Sequence, residues 1–468
     1  MNYLASVVAK LQRVAAHKYF RMFIFALFAL QTLFLVGAMH IGTPPDESNH
    51  IAFIKYYADH SLSPFLAHQT PTWTLGDKTR EVDYVYHYVG SLISRVLPGE
   101  SFDVYTLRVI SVVMAIMTFL VLIRILKHLK VGDGAINVGL LMLTNLPMIL
   151  MLSAAVNNDV AVWLITVTGI WLTLRIWQRP QLLDVLWLLS LSAVGGLIKR
   201  TLFPIMLIIA LLAVVLVVRK WQVFRKSLST IDWKLIVAGC FLVVSVGLFI
   251  ERVGGNIVRY HAITPKCEQV QGKQACSIFW QSSRRRWIDA GAPAASNIWL
   301  PQGAAIDHPP ISLPVFVAEW AGVTAFNVID IQTQGWQHTV MPPVWLVSII
   351  FILLVCVISY GIFYDLKHYK RDPLSAKRLF VLAVGLVTVF AQLAVNYSSY
   401  KATPIFGLGL NGRYVLPALI LFVGLGCFYG AKLFGRKVGT LLAVIVVLMI
   451  ILGTGLLMMV RNPQLFTG

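Results

Sequence analysis

An all-α polytopic membrane fold is predicted by three features of this 468-residue chain. Hydrophobic residues make up 58% of it and charged residues 13%, against the roughly 25% charged residues of an ordinary soluble domain. Apolar runs of about 17–25 residues recur along its length, each long enough to cross a hydrocarbon core about 30 Å thick as a helix. Basic residues are retained beside those runs, which is the pattern that orients helices in a bilayer.

Eleven spans are expected, near 20–40, 104–126, 135–152, 159–178, 182–198, 202–218, 234–250, 343–364, 376–396, 413–431 and 438–460. Lys10, Arg13, Lys18 and Arg21 precede or open the first run. No small-residue cleavage site follows, so the run reads as an uncleaved anchor. With the N-terminus cytoplasmic, the large basic clusters all fall on the cytoplasmic side: Arg124 to Lys130, Arg175 with Arg179, Arg219 to Lys226, Lys367 to Arg378, and Lys432 to Lys437. Orientation in a membrane thus accounts for much of the net charge of +19. Scattered over short loops, these residues form no contiguous face for a nucleic acid, and no nucleic-acid partner is expected.

The whole chain, 1–468, then reads as one integral membrane domain with two long extracytoplasmic segments, 41–103 and 251–341. The first holds an apolar-periodic run, Val85 to Leu97, suited to lying along the interface. The second holds Arg284, Arg285, Arg286 and Trp287, which suit anionic headgroups, and then Phe316 to Phe326, a second interfacial helix. Cys240, Cys356 and Cys427 fall within spans, whereas Cys267 and Cys276 share the second segment and are expected to form a disulfide in an oxidising compartment.

Chemistry-bearing residues collect at the outer ends of spans. Thr43 to His50 reads Thr-Pro-Pro-Asp-Glu-Ser-Asn-His where the first run ends. The prolines stop one helix and preset φ for another, which is expected to put Asp46 and Glu47 in a first turn with His50 one turn on. Ordinary helix initiation would select the same residues. Lys199 and Arg200 join the fifth and sixth spans on the outer side, unlike the other short basic connections, and suit a lipid-linked phosphate or headgroup snorkelling. Asp159, after Asn157 and Asn158, either caps a helix or adds a second carboxylate to the same cavity. Gly409 to Pro417 places Arg413, a further phosphate ligand, beside Tyr414, a hydroxyl donor or interface anchor, among glycines that permit close backbone approach.

At these residues the chain resembles the GT-C superfamily, multi-spanning glycosyltransferases that use polyprenyl-phosphate sugars on the outer membrane face. Pro44-Pro45-Asp46-Glu47 with His50, Lys199, and Gly412-Arg413-Tyr414 with Leu416-Pro417 also resemble a bacterial family of multi-spanning proteins of largely unassigned function. The resemblance implies an enzyme in the plasma (inner) membrane, with its active site on the extracytoplasmic side. It would transfer a sugar from a polyprenyl-phosphate donor to a glycan, lipid or protein acceptor. No Gly-rich nucleotide-binding signature contradicts that.

The expected mechanism is in-line displacement at the anomeric carbon with inversion. Asp46, or Glu47 beside it, would serve as base; His50 and Asp159 would position the acceptor; Lys199, Arg200, Arg413 and Tyr414 would hold the donor phosphate. No cofactor and no metal are expected, although Asp46, Glu47, His50 and Asp159 carry oxygen and nitrogen donors and the GT-C group includes metal-dependent members. A polytopic transporter or lipid flippase is the alternative. It would place its polar site near the bilayer midplane instead of at one face.

Overall fold

The computed structural model describes residues 2–60, 80–96, 100–227, 232–279, 311–329, 344–402 and 412–435, together with Val446 and Phe466, and no strand occurs among them. Basic and apolar residues at the start form α1 (Asn2–Ala16), where no element was expected, and α2 (Lys18–Ala38) follows as the first apolar run. After it come α3 (Glu47–His60), α4 (Val85–Val96), α5 (Glu100–His128), α6 (Asp133–Leu143), α7 (Pro147–Ser153), α8 (Asp159–Gln178), α9 (Leu182–Ile198), α10 (Leu202–Arg219), α11 (Trp221–Lys226) and α12 (Trp233–Phe249). Two short helices, α13 (Gly255–Tyr260) and α14 (Cys267–Gln271), precede α15 (Leu313–Ile329), α16 (Val344–His368), α17 (Ser375–Ala402) and α18 (Leu416–Leu433).

Among the described residues, eight helices are long and apolar enough to cross a membrane, or nine if the bent pair α6–α7 is one span. The expected count of eleven differs for identifiable reasons. α9, at 17 residues, is shorter than α8 at 20 and α10 at 18, whereas α12 continues through Tyr260 as one 28-residue helix. The 135–152 run is broken by 74° between α6 and α7, because Pro147 has no N–H to donate and its ring drives Leu146 out of the helical region, to φ −71° and ψ 126°. The 438–460 run and the arginines at 284–286 with Trp287 lie outside the described residues.

The bundle is held by packing of α8 against α5, α9 and α10, of α12 against α9, and of α18 against α6, α16 and α17. Trp163 of α8 and Phe28, Phe119, Leu140, Leu421 and Leu425 are all at most 1% exposed in its core. α12 keeps Ile236, Val243 and Val244 exposed, as a helix facing hydrocarbon can. At one end of α18, Asp365 and Arg378 form a buried ion pair with Nη2–Oδ1 2.7 Å, joined by Ser375 and the Tyr429 hydroxyl. The candidate site lies at the other end of the same helix.

Both elements expected along the interface are helical: α4 covers the expected run from Val85 to Val96, Leu97 lying outside the described residues, and α15 contains Phe316 to Phe326. α3 and α4 run side by side in the same sense, His50 against His87, Ile54 against Gly90, and the Arg95 guanidinium donating to Tyr57 and Ala58 carbonyls. Two small cores seat this pair on the bundle: Tyr57, Tyr84, Leu197 and Val253 in one, Ile54, Val104, Leu107 and Val156 in the other. Arg80 clasps the residues after α12, donating to Glu251 Oε1 at 2.6 Å and Asn256 Oδ1 at 2.8 Å. Cys267 and Cys276 are disulfide-bonded, with Cα atoms 5.9 Å apart.

Candidate functional site

The Pro-Pro segment splits its two carboxylates instead of placing both in a first turn. α3 begins at Glu47, and Asp46 stands just before it in the left-handed region at φ 59°, its carbonyl accepting from the His50 amide at 2.9 Å. Asp is among the few side chains that tolerate this backbone. The two neighbours therefore leave the chain in different directions and reach different cations.

Glu47 is fully buried and each oxygen accepts two hydrogen bonds. Arg108 donates to Oε1 at 2.8 Å and to Oε2 at 2.6 Å, while the amides of Val156 and Gly42 donate at 2.9 Å each. A carboxylate so filled has no lone pair directed at a substrate. Glu47, expected beside Asp46 as a base, is placed as a clamp between segments. Arg108 was not anticipated. Its signal was a lone arginine one turn inside an apolar run, a position that demands a partner.

Asp46 instead pairs with Arg413, which stands at the start of α18 and is 4% exposed, whereas the Asp46 side chain is 45% exposed. Arg413 also donates to the Pro45 carbonyl at 3.2 Å and to the Tyr414 hydroxyl at 3.0 Å, and its Nε lies 3.5 Å from Asp159 Oδ2. Asp159 opens α8 and is bound through Oδ1 by Lys199, which also reaches Asn158 Oδ1 at 3.3 Å. The Tyr414 ring lies under both cations, 4.6 Å from Lys199 Nζ and 5.0 Å from the Arg413 guanidinium carbon. Asn157 completes the seat, donating to the Pro45 carbonyl and accepting from the Asp159 amide. Two carboxylates and two cations from the ends of four helices thus form one alternating chain.

Burial pushes the Asp46 carboxyl up, but Arg413, with His50 and Lys199 behind it, outweighs burial and holds it at about 2. The native value is below the ordinary 3.8. The pair therefore contributes fully above that value, and its contribution is lost as pH falls through about 2. Arg200 is not drawn into this chain. Its side chain is 54% exposed and bonds to Asp83 at 3.3 Å, with Glu81 at 3.9 Å, and Asp83 is the largest cause holding its charge more firmly. His50 is buried beside His87, Nδ1 to Nε2 2.8 Å, with its ring edge-on to Tyr86. Sequence reasoning missed His87, which lies on an apolar-periodic helix with no motif around it.

Gly412 is what allows Arg413 this position. A Cβ there would meet the Thr324 carbonyl oxygen at 2.7 Å and the Val328 nitrogen at 2.8 Å, both backbone atoms of α15. Backbone cannot rotate away, so the turn and Arg413 with it would be pushed off. Gly412→Ala is expected to cost about 1–3 kcal/mol by overpacking, read as a lower melting temperature in detergent. Gly426→Ala is the control, since its Cβ would meet only the Leu354 and Val357 side chains, at 3.7 and 3.9 Å.

Among the described residues no group of three or more His, Cys, Asp or Glu side chains is placed to hold a metal ion. The fold and its apolar helices define an integral, all-helical membrane protein. The chain belongs to the family described as "Predicted membrane protein (DUF2142)", whose model matches residues 29–422. No curated protein matches it. Among solved structures it is similar to the oligosaccharyltransferase of Archaeoglobus fulgidus in its apo form, at 11% identity and a TM-score of 0.45. That likeness covers 96% of this chain and 56% of the archaeal one, so the chain spans little more than half the length of that relative.

Proposed function

We propose that the protein transfers a sugar from a polyprenyl-phosphate-linked donor to an extracytoplasmic acceptor, with the Asp46–Arg413–Asp159–Lys199 chain as the reacting centre. It acts in the plasma membrane with its N-terminus cytoplasmic. The observation that carries this reading is the convergence of two cations and a half-exposed carboxylate at one end of the bundle, where membrane helices begin and end. A lipid-linked phosphate lies at that depth, with its chain among the helices and its sugar in water.

Donor phosphate engages Arg413 and Lys199, whose ammonium carries three donors and so reaches beyond its carboxylate. As the anomeric C–O bond breaks, negative charge grows on that phosphate and the preformed cations stabilise it. Asp46, fully ionised, faces the positive charge that develops on the sugar and steadies the acceptor. Displacement in line with the leaving phosphate inverts the anomeric centre. A transporter is less well supported, because the polar chain lies at helix ends and not at the middle of any span.

The test is turnover by the purified full-length protein in proteoliposomes given a panel of synthetic polyprenyl-phosphate hexoses, read as release of hexose to water or to added acceptors. Lys199→Met is expected to lower turnover on the order of 10²-fold. No turnover with any donor by the unaltered chain removes the reading.

A further inference from the structure

The hydrogen bonds around His50 determine where its proton is. His87 Nδ1 lies 3.0 Å from the Asp83 carbonyl oxygen, which can only accept, so His87 carries its proton on Nδ1. A neutral His87 then presents a lone pair at Nε2, and His50 Nδ1, 2.8 Å away, must be the donor to it. His50 in its neutral form is left with a bare Nε2. The rings stack at 18° with centroids 5.1 Å apart, and both stand in the first turn of their helices, where the helix dipole opposes a positive charge.

The charges around this ring come from every element packed on it. Asp46 precedes it on its own segment, Tyr86 and His87 face it from α4, Lys199 from the α9–α10 turn and Arg413 from the start of α18. Burial is the largest reason His50 sits well below the ordinary imidazole range, and His87, Lys199 and Arg413 push the same way while Asp46 opposes them. The neighbouring oxygens are already engaged by cations or protons: Glu47 is filled by four donors, Asp159 Oδ1 is bound by Lys199, Asp46 is held by Arg413, and burial pushes the Tyr86 hydroxyl upward, so it keeps its proton.

We propose that His50, fixed in one tautomer by His87, takes the proton from the incoming hydroxyl on its Nε2. This rests on the transfer reading and gives to His50 the role of base that the sequence led us to expect of Asp46 or Glu47. The step balances: the acceptor oxygen bonds to the anomeric carbon, its proton passes to Nε2, and the C–O bond to the donor phosphate breaks with its electron pair going to the phosphate oxygen. The imidazolium so formed keeps its Nδ1–H bond to His87, is offset by Asp46, and returns its proton to water.

Two measurements on the full-length protein test it. In nanodiscs, ¹⁵N-histidine spectra at pH 7.5, with the His50 signal identified by its absence in His50→Gln, are expected to show a neutral ring protonated on Nδ1; a proton on Nε2 overturns the proposal. Hexose release from polyprenyl-phosphate hexose, with water as acceptor, is expected to fall on the order of 10²-fold in His50→Gln. The loss of release by the unaltered protein on acidification is expected to vanish in that variant and to shift in His87→Gln. His50→Gln with unchanged release and an unchanged acid limb overturns the proposal while leaving the transfer reading in place. Absence of release by the unaltered protein from every donor removes the transfer reading and, with it, the step assigned to His50, while the spectra still decide independently whether Nε2 is bare.

Discussion

Arg108→Ala is expected to lose about 3–5 kcal/mol of stability, the cost of leaving one partner of a buried ion pair alone. Arg108 and Glu47 are both fully buried, and the guanidinium also donates to the carbonyls of Val36 and Met39 at 2.9 Å and of His40 at 3.2 Å. Those are the last carbonyls of α2 and its exit, groups a helix end leaves unpaired. One side chain thus satisfies the end of α2, the start of α3 and, through Glu47, the Val156 amide before α8. Its removal strands a charge and several acceptors together. Glu47→Gln is expected to fall in the same range, and Arg108→Ala combined with Glu47→Gln to lose less than the two single losses added, because neither charge is then stranded. Thermal unfolding in one detergent over all four proteins gives the comparison; a single Arg108→Ala variant melting with the unaltered protein would sink the clamp.

Much of the architecture is legible in hydropathy, since apolar runs as long as a bilayer is thick have few alternatives to membrane helices. What hydropathy misses is where a run bends. The 135–152 stretch is apolar throughout, yet Pro147 breaks it, because length and apolarity do not register a missing amide. The site shows a different limit. Asp46 and Glu47 are adjacent and chemically alike, and local rules give both to a helix start. Their fates are decided by arginines 367 and 61 residues away, Arg413 and Arg108. Side-chain type and an end-of-span address pointed to Asp46, Asp159, Lys199 and Arg413, while their joining into one ion-paired chain, and the separation of Glu47 into a clamp with Arg108, required the packing. Arg200 shared the address of Lys199 but was turned away by Asp83 and Glu81, two acids whose position in the long segment carries no pattern.

Asp46→Asn is expected to lower hexose transfer on the order of 10²–10³-fold, the size of removing one preorganised electrostatic contact from a transition state, while the protein stays folded. Asparagine is the informative replacement because it tolerates the left-handed backbone at φ 59° and keeps a side-chain oxygen for Arg413. Alanine would add roughly 1–2 kcal/mol of backbone strain there and confuse stability with chemistry. The direction of the donor effect separates this role from simple binding. The chain holds two anions and two cations; with Asp46 neutralised, Arg413 is freer to meet the donor phosphate, so KM for donor is expected to hold or fall while kcat drops. A variant that instead raised KM at unchanged kcat would make Asp46 part of ground-state binding alone, and full turnover would remove it from the site. Glu47→Gln, one residue on, must fail differently, by losing folded protein, because its oxygens face Arg108 and two backbone amides and no substrate.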